Sequence, residues 1–390
     1  MEQKELPLAG IATIYLAACE LCGKAPTELG DISAEAAYAF ARRSSLDAIA
    51  AASLERVGLS TEEMTVGKMA SIRKNMLLDN GRAALCGRLE AEGIYYMPLK
   101  GVILKELYPA LGLRQMSDND ILFDPSRRAD VRRIMEELGF ESEEYGKGCH
   151  DVYLKKPVYN YEMHVSLFAR TEGEELFCYF KDYVKRARLV EGTSYHYVLS
   201  DEDFYIYLKA HEYKHFSFGG TGIRSLLDTY VYLKAKPGLS LDYVERELSK
   251  IGIADYEKGT RELALKLFTP EGALSLLHGE LELSDGEREL LSAFLGSGTY
   301  GSIGNRINNE LSREADRGQK GAKLRYVFRR LFPPMEWYES NAPFFYKYKL
   351  LIPFFLLWRL IRGVLLRPVK TVRELTRVIK FKGKNKKNGI

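Results

Sequence analysis

The fold of this chain is decided by the stretch Tyr95-Tyr-Met-Pro-Leu-Lys-Gly101 and, after a short helical run, Ser117-Asp-Asn-Asp-Ile-Leu-Phe123. The second part predicts a β-strand, in which alternate side chains leave the same face, so Asp118 and Asp120 point into one small volume. Two carboxylates that close repel each other unless a cation neutralises them. Because Mg²⁺ takes carboxylate and phosphate oxygens as ligands, the pair predicts a strand that holds metal for phosphate chemistry.

The pattern around this stretch predicts an α+β protein with a small α/β core. Strand and helix alternate in the core, and long amphipathic runs with apolar residues at three- and four-residue spacing predict helices on both sides. The predicted core strands are residues 94–99, 118–123, 152–155 and 159–167, and the core helices are 102–107 and 126–138. We expect four segments, a helical region at 1–92, the core at 93–200, a second helical region at 201–332 and an aromatic and basic extension at 333–390.

The composition favours a cytoplasmic protein. The five cysteines are too few for a disulfide-dense secreted scaffold, and the pair Cys19 and Cys22 has no second pair to complete a four-thiolate zinc site. The N-terminal residues lack the apolar core of a signal peptide. The most apolar stretch, residues 350–358, is well short of the roughly 20 residues that cross a bilayer.

A third carboxylate is predicted on the segment Tyr159-Asn-Tyr-Glu-Met-His-Val-Ser-Leu167. Glu162 and His164 share one face of this strand, and an acidic group in such a segment is costly to bury unless a cation neutralises it. The turn at Lys100 and Gly101 precedes a predicted helix, whose N–H groups would face phosphate. Arg114 is close enough in sequence to contact the same phosphates.

These residues together resemble a known family. The motif runs Leu99-Lys-Gly101, Arg114, Ser117-Asp-Asn-Asp-Ile-Leu122 and Glu162-Met-His164, and it is similar to the uncharacterised bacterial nucleotidyltransferases of the DNA polymerase beta superfamily. The resemblance covers most of the chain, and it implies transfer of a nucleoside monophosphate from a nucleoside triphosphate by a two-metal mechanism. The acceptor is left open between a protein, an RNA and a small molecule.

The resemblance also implies roles for individual residues. The metal, Mg²⁺ or Mn²⁺, would be held by Asp118, Asp120 and Glu162, which are the catalytic residues. The implied nucleotide-binding residues are Lys100, Gly101, Arg114 and Ser117, and the implied pocket residues are His164, His211, Lys214, His215 and Asp228.

Two positions depart from the better-known members of the superfamily. Lys100-Gly101 stands where those members have a Gly-Ser pair, which predicts that the lysine takes part of the phosphate contact. Asn119 replaces an apolar residue between the aspartates. Since Asn119 should face away from the metals, we expect it to have a hydrogen-bond partner elsewhere in the core.

Other interpretations of the sequence remain open. His211-Glu212-x-x-His215 matches the His-Glu-x-x-His pattern of zinc peptidases, in which two histidines on one helix face bind Zn²⁺ and the glutamate is the general base. The histidines would otherwise be structural or would border the transferase pocket. A catalytically inactive protein that keeps the fold and binds nucleotide or regulates a partner is the second class of function.

The C-terminal extension is basic. Nine lysines and arginines but only one glutamate lie between Arg367 and Ile390, although the whole chain has a formal net charge of only +4. With the aromatic residues Phe354, Phe355 and Trp358 before it, this tail predicts weak contact with an anionic membrane or with nucleic acid. A helix packed on the body and ending in a solvated tail is the alternative. The sequence does not predict the oligomeric state.

Overall fold

The structure, a computed structural model, describes residues 5–298, 301, 303–316, 321–335, 337–338, 342–366, 372, 374–376, 378–379 and 381. It confirms the α+β class, because one mixed five-stranded sheet is surrounded by helices. The chain divides into two units, Met1–Tyr213 with Gly222–Thr299 and Lys214–Thr221 with Tyr300–Ile390. The four predicted segments along the sequence stay a prediction.

The sheet belongs to the first unit and has the order β1-β2-β5-β4-β3. Its strands are β1 (Tyr96–Pro98), β2 (Asn119–Phe123), β3 (Glu141–Glu144), β4 (His150–Lys155) and β5 (Tyr159–His164). The pair of β2 and β5 is parallel, and all other pairs are antiparallel. The four predicted strands are therefore present, and β3, an acidic edge strand without an apolar face, was not predicted.

Among the residues described, the first unit contains thirteen helices besides this sheet. They are α1 (Leu8–Leu21), α2 (Ala34–Arg43), α3 (Asp47–Glu55), α4 (Glu62–Ala91), α5 (Gly101–Leu104), α6 (Arg128–Glu137), α7 (Glu174–Phe180), α8 (Asp201–Phe218), α9 (Arg224–Ala235), α10 (Leu241–Ser249), α11 (Ala254–Leu267), α12 (Pro270–Leu277) and α13 (Asp285–Ser297). The last turns of α8, from Lys214, belong to the second unit. A short two-stranded sheet, β6 (Arg188–Leu189) and β7 (Tyr197–Val198), precedes α8.

One face of the sheet is covered by α4 and α6. Leu85 and Leu89 of α4 and Ile134 of α6 form a buried cluster with Ile121 and Phe123 of β2. Side chains alternate across a strand, so Asp120 and Leu122 belong to the opposite face. Ile121 and Phe123 of β2 therefore face α4, and Asp120 faces the other side of the sheet.

The opposite face packs against α8. Met97 of β1 and Leu122 of β2 share a buried cluster with Phe204 and Tyr207 of α8. The carboxylate of Asp120 therefore lies in a largely apolar layer, where a charge requires compensation.

The second unit contains the helices Ile303–Asp316, Ala322–Leu331, Pro343–Lys347 and Ile352–Leu366. Its small core is formed by Ile307, Leu311, Tyr326 and Val378. Within the described part of the chain, every helix falls short of the length and apolar character that a membrane crossing requires. Most of the basic tail, 367–390, lies outside the described residues.

Candidate active site

The parallel pairing of β2 and β5 brings together two of the three predicted acidic residues, Asp120 and Glu162. Asp120 is the register partner of Glu162, and Leu122 is the partner of His164. Ligand atoms of Asp120, Glu162 and His164 all lie within 4.8 Å of one another. Two segments that are about 40 residues apart in sequence thus converge on one site, as two-metal chemistry requires.

Lys100 is the positive charge of this site. Its Nζ donates to Oδ1 of Asp120 at 2.6 Å and lies 4.0 Å from Oε2 of Glu162. The residue has φ 50° and ψ −118°, a conformation that costs a non-glycine residue about 1–3 kcal/mol. The strained turn directs the ammonium group into the sheet, where it stands in for a cation between the two carboxylates.

Asp120, on β2, and Asp118, which directly precedes it, have different electrostatic surroundings. Burial raises the pKa of Asp118 to about 6, and the charges of Asp120 and Glu162 act in the same direction. Burial would also raise the pKa of Asp120, but the Lys100 ammonium and His164 outweigh it and hold that pKa below its usual range. A positive charge delivered next to Asp118 would therefore keep it ionised at neutral pH.

His164 fixes the orientation of Asp120. Its Nε2 lies 2.9 Å from Oδ1 of Asp120 and 3.6 Å from Oε2 of Glu162. Burial and the Lys100 charge lower the pKa of His164, but its contacts with Asp120, Cys149 and Glu162 outweigh them and raise it to about 10. The imidazolium is thus a second positive group that stabilises the ionised carboxylates.

A thiol and a second imidazole lie beside His164. Cys149 Sγ is 3.5 Å from Nδ1 of His150, and His150 is the register partner of His164 across β4 and β5. Burial raises the pKa of Cys149, but its contacts with His150 and His164 outweigh burial and lower it to about 6. The sequence contains no local signal for this cluster, because Cys149 reaches the site only through the pairing of two strands.

Tyr207 is a residue of the site that sequence reasoning missed. It lies on α8, its side chain is fully buried, and its hydroxyl has no hydrogen-bond partner among the described residues. Burial raises its pKa, although the Lys100 charge opposes that shift. An unpaired buried hydroxyl beside the lysine and the carboxylates is a group that a ligand could satisfy.

Arg114 forms a buried ion pair beside the Lys100–Gly101 turn. Its Nε and Nη2 donate to the two carboxylate oxygens of Asp228 at 2.7 and 2.9 Å, and Tyr108 Oη donates to the same carboxylate at 2.8 Å. Both charged side chains are 8% exposed. A Cβ on Gly101 would lie 2.7 Å from Nη1 of Arg114, so this buried pair packs directly under the glycine.

The packing thus gives a structural reason for the glycine at position 101, one that the sequence did not show. Gly101 is required because the arginine beneath it leaves no room for a side chain. The helix that follows, α5, is a single turn of four residues. Arg114 supports the turn that carries Lys100, and its predicted contact with phosphate stays a prediction, as does that of Gly101.

Two further predictions concern the residues on either side of Asp118. Ser117 is half-buried, and its side chain beside Asp118 acts to lower the pKa of that carboxyl. Asn119 is fully buried on the other face, where its Nδ2 donates to the Leu78 carbonyl at 3.1 Å and its Oδ1 accepts from Arg82 at 3.1 Å. The expected partner of Asn119 is thus provided by α4.

The zinc-peptidase interpretation gains no support from α8. Glu212, which would be its general base, is buried and accepts hydrogen bonds from Lys209 at 2.9 Å and from Tyr256 at 2.8 Å. Among the described residues, the two groups with metal-ligand geometry are Asp120, Glu162 and His164, and Cys149, His150 and His164, neither of which includes His211 or His215.

The predicted pocket residues are thus dispersed. His164 is in the site, Asp228 pairs with Arg114, and the ring of His211 lies 6.1 Å from that of Tyr207. A role for His211, Lys214 or His215 beside the nucleotide stays a prediction. The residue by which α8 borders the site is Tyr207, one helical turn before His211.

Comparison with known proteins identifies the class. The α+β fold and the cluster of Asp120, Glu162 and His164, whose ligand atoms could hold a metal ion, are compatible with a nucleotidyltransferase. Residues 30–269 match a family described as uncharacterised nucleotidyltransferase, and the chain belongs to this family. This confirms the family resemblance seen in the sequence. No curated protein and no solved structure matches the chain.

Proposed function

We propose that the protein transfers a nucleoside monophosphate from a nucleoside triphosphate to an acceptor hydroxyl, with Asp118, Asp120 and Glu162 as the catalytic carboxylates. The observation that carries this proposal is the register of β2 and β5, which sets Asp120 beside Glu162 with the Lys100 ammonium between them. We also place the family in the DNA polymerase beta superfamily and the protein in a bacterial cytoplasm, where nucleoside triphosphates are available.

The reaction exchanges one bond to phosphorus for another. The acceptor oxygen attacks the α-phosphorus, the bond from that phosphorus to the bridging oxygen breaks, and pyrophosphate leaves with the electron pair. The acceptor proton must pass to a base. Glu162, whose side chain is 27% exposed and therefore reachable, is the carboxylate placed to accept it.

The donor set fits Mg²⁺ or Mn²⁺. Carboxylate oxygens are the ligands that these ions take, and burial and the neighbouring carboxylates raise the pKa of Asp118, which supports a site that a further positive charge would stabilise. Asp118, Asp120 and Glu162 would hold the ion, which when bound neutralises charge that develops on the phosphate oxygens. His164 and Lys100 keep Asp120 ionised and oriented for that role.

Lys100 has a second role in this proposal. Its ammonium group is hydrogen-bonded to Asp120 and lies 4.0 Å from Glu162, and its side chain is 15% exposed, so phosphate can compete for it. The backbone turn at Gly101 fixes the position from which the Lys100 side chain extends. Lys100 would therefore bind the triphosphate, and this is the contact that replaces the Gly-Ser pair of better-known members.

The experiment is a transfer assay with the full chain. Each of the four α-labelled nucleoside triphosphates is incubated with Mg²⁺ or Mn²⁺ and with host fractions that contain protein, RNA or small molecules. We expect label on one class of acceptor with the wild type, and at least a hundredfold less with Asp120→Asn, because a carboxylate at the reacting phosphate is lost. Equal labelling by wild type and Asp120→Asn would refute the mechanism.

A matched control and a binding arm separate the alternatives. Glu144→Gln removes an exposed carboxylate from the same sheet and should label the acceptor as well as the wild type. Nucleotide binding without any transfer, unchanged in Asp120→Asn, would instead favour the inactive nucleotide-binding protein. Release of a stoichiometric zinc ion on His211→Ala would favour the peptidase.

A further inference from the structure

A second group of possible metal ligands shares His164 with the acidic site. Single ligand atoms of Cys149, His150 and His164 lie within 4.8 Å of one another. Cys149 and His164 are buried, at 6% and 3% exposed, and the side chain of His150 is 31% exposed. A thiol and two imidazoles are donors that Zn²⁺ takes, whereas Mg²⁺ takes oxygen. The group is therefore chemically different from the carboxylates beside it.

The fold holds these three side chains together through backbone pairing. His150 and His164 are register partners of β4 and β5, and their ring centres are 5.0 Å apart. The carbonyl of Cys149, the residue before β4, accepts hydrogen bonds from the amides of Val165 and Ser166 at 2.8 and 3.3 Å. The thiol is thus anchored at the end of the strand that carries His164.

The distance between the thiol and the first imidazole matches a shared zinc ion. Sγ of Cys149 lies 3.5 Å from Nδ1 of His150. With about 2.3 Å from zinc to sulfur and about 2.0–2.1 Å from zinc to nitrogen, a tetrahedral angle sets those two atoms about 3.5 Å apart. Because a hydrogen bond between thiol and imidazole has a similar length, the deciding observation comes from His164.

His164 has a ring nitrogen without a hydrogen bond. Its Nε2 lies 2.9 Å from Oδ1 of Asp120, but its Nδ1 is buried and has no hydrogen-bond partner among the described residues. A buried polar atom that is left unsatisfied is costly. Since the carboxylate occupies Nε2, Nδ1 is the atom of His164 that can bind an ion beside Cys149 and His150.

We propose that Cys149, His150 and His164 bind one Zn²⁺ ion, which positions His164 against Asp120. A metal-bound histidine commonly donates its other ring N–H to a carboxylate, and this contact fixes the tautomer and the orientation of the ring. His164 would bind zinc through Nδ1 and donate from Nε2 to Asp120. The ion would displace the protons of the thiol and of Nδ1 into solvent, and its own charge would replace that of the imidazolium.

The remaining position of the tetrahedron would be taken by water, as in other zinc sites with three protein ligands. The partly exposed side chain of His150 gives the ion a path from solvent. The softness of the ligands keeps the two sites separate, because sulfur and nitrogen select zinc while the carboxylates select Mg²⁺ or Mn²⁺.

The test is metal binding by the full chain without nucleotide, acceptor or Mg²⁺, so its result does not depend on the transfer assay. The protein is treated with a chelator, and Co²⁺ is then titrated, because a thiolate bound to Co²⁺ absorbs in the near ultraviolet. We expect one equivalent of Co²⁺ with this absorption, which Zn²⁺ displaces and excess Mg²⁺ does not. Zn²⁺ should also raise the melting temperature of the wild type.

Variants of the ligands should separate this site from other thiols. Cys149→Ser should abolish the absorption and the zinc-dependent rise in melting temperature, and His150→Ala should weaken zinc binding more than about a hundredfold. Asp120→Asn, which changes the partner of a ligand rather than a ligand, should weaken it about 10–100-fold. Cys178→Ser, at an exposed thiol of α7, is the control and should bind as the wild type does. Circular dichroism checks that each variant is folded.

Three results would overturn the proposal. They are a wild type without the thiolate absorption, an absorption that persists in Cys149→Ser, and an ion that excess Mg²⁺ displaces, which would place it among the carboxylates. His211→Ala distinguishes this site from the zinc-peptidase interpretation and should keep the ion. Loss of the ion from His211→Ala but not from Cys149→Ser would assign the zinc to α8 instead.

Discussion

The pair of Arg114 and Asp228 gives the sharpest stability prediction. Asp228→Asn keeps the volume of the side chain but removes the charge that accepts from Arg114 at 2.7 and 2.9 Å and from Tyr108 at 2.8 Å. The guanidinium of Arg114, 8% exposed, is then buried without a counter-charge. Removing one member of a buried pair costs about 3–5 kcal/mol, more than a lost surface bond, because the remaining charge cannot return to water.

The measurement is urea unfolding of the full chain followed by circular dichroism. With a slope of about 1–3 kcal/mol per molar, a loss of at least about 3 kcal/mol lowers the midpoint of the affected transition by at least about 1 M. Asp242→Asn, at an exposed position of α10, is the control and should leave the midpoint unchanged. Arg114→Met combined with Asp228→Leu should cost less than Asp228→Asn alone, since no charge is left unpaired.

A midpoint for Asp228→Asn within 0.3 M of the wild type, or a double variant as unstable as the sum of the singles, would refute this reasoning. Nucleotide affinity adds a second test. If Arg114 acts only by supporting the turn at Gly101, variants that remain folded should lose affinity in proportion to their stability. A loss of affinity in a fully stable Arg114 variant would instead restore its predicted contact with phosphate.

Three further predictions concern the strand of the site and the helix behind it. Asn119→Ala should lower the free energy of unfolding by about 1–3 kcal/mol, because the two hydrogen bonds of its amide, with the Leu78 carbonyl and with Arg82 Nη1, are lost from the core; urea unfolding measures this. Gly81→Ala should destabilise α4 by about 1–3 kcal/mol although alanine favours helix, because a Cβ there would lie 2.7 Å from Tyr161 Oη; an unchanged melting temperature would contradict this. Asp118 has a pKa of about 6 in the folded protein against 3.8 for the free group, so the folded state binds more protons between those values and its stability falls as pH rises through them. Asp118→Asn should remove that fall, and a pH profile of unfolding that is the same in both proteins would show the attribution to be wrong.

Much of the site could be predicted because its signals are local. Asp120 lies on β2 and Asp118 directly precedes that strand, and the alternating pattern of a strand was enough to predict that both carboxyls belong to one site. Glu162 was found because a carboxylate in a strand-like segment is costly without a cation. The family match over residues 30–269 confirms the class to which these residues led.

The parts that could not be predicted depend on contacts between distant segments. Tyr207 is more than 80 residues from Asp120, and its sequence neighbours on α8 show only the spacing of a buried helix. Asp228 pairs with Arg114 across a separation of 114 residues, a contact that the sequence did not predict, and its place in the pocket stays a prediction. Since an arginine near a phosphate site and an arginine beneath it look alike in sequence, only the packing distinguishes the two.

The position of Lys100 explains why the chain differs from the Gly-Ser pattern. A strained backbone at φ 50°, held from below by the pair of Arg114 and Asp228, sets the ammonium 2.6 Å from Asp120. That contact, together with His164, compensates the charge of the carboxylates, and it is the contact that a metal ion in the same place would replace. The displaced ammonium would then pair with the incoming triphosphate, which also carries negative charge. Lys100 can thus stabilise the free site and then bind the substrate, because its ammonium contacts either Asp120 or the triphosphate, one at a time.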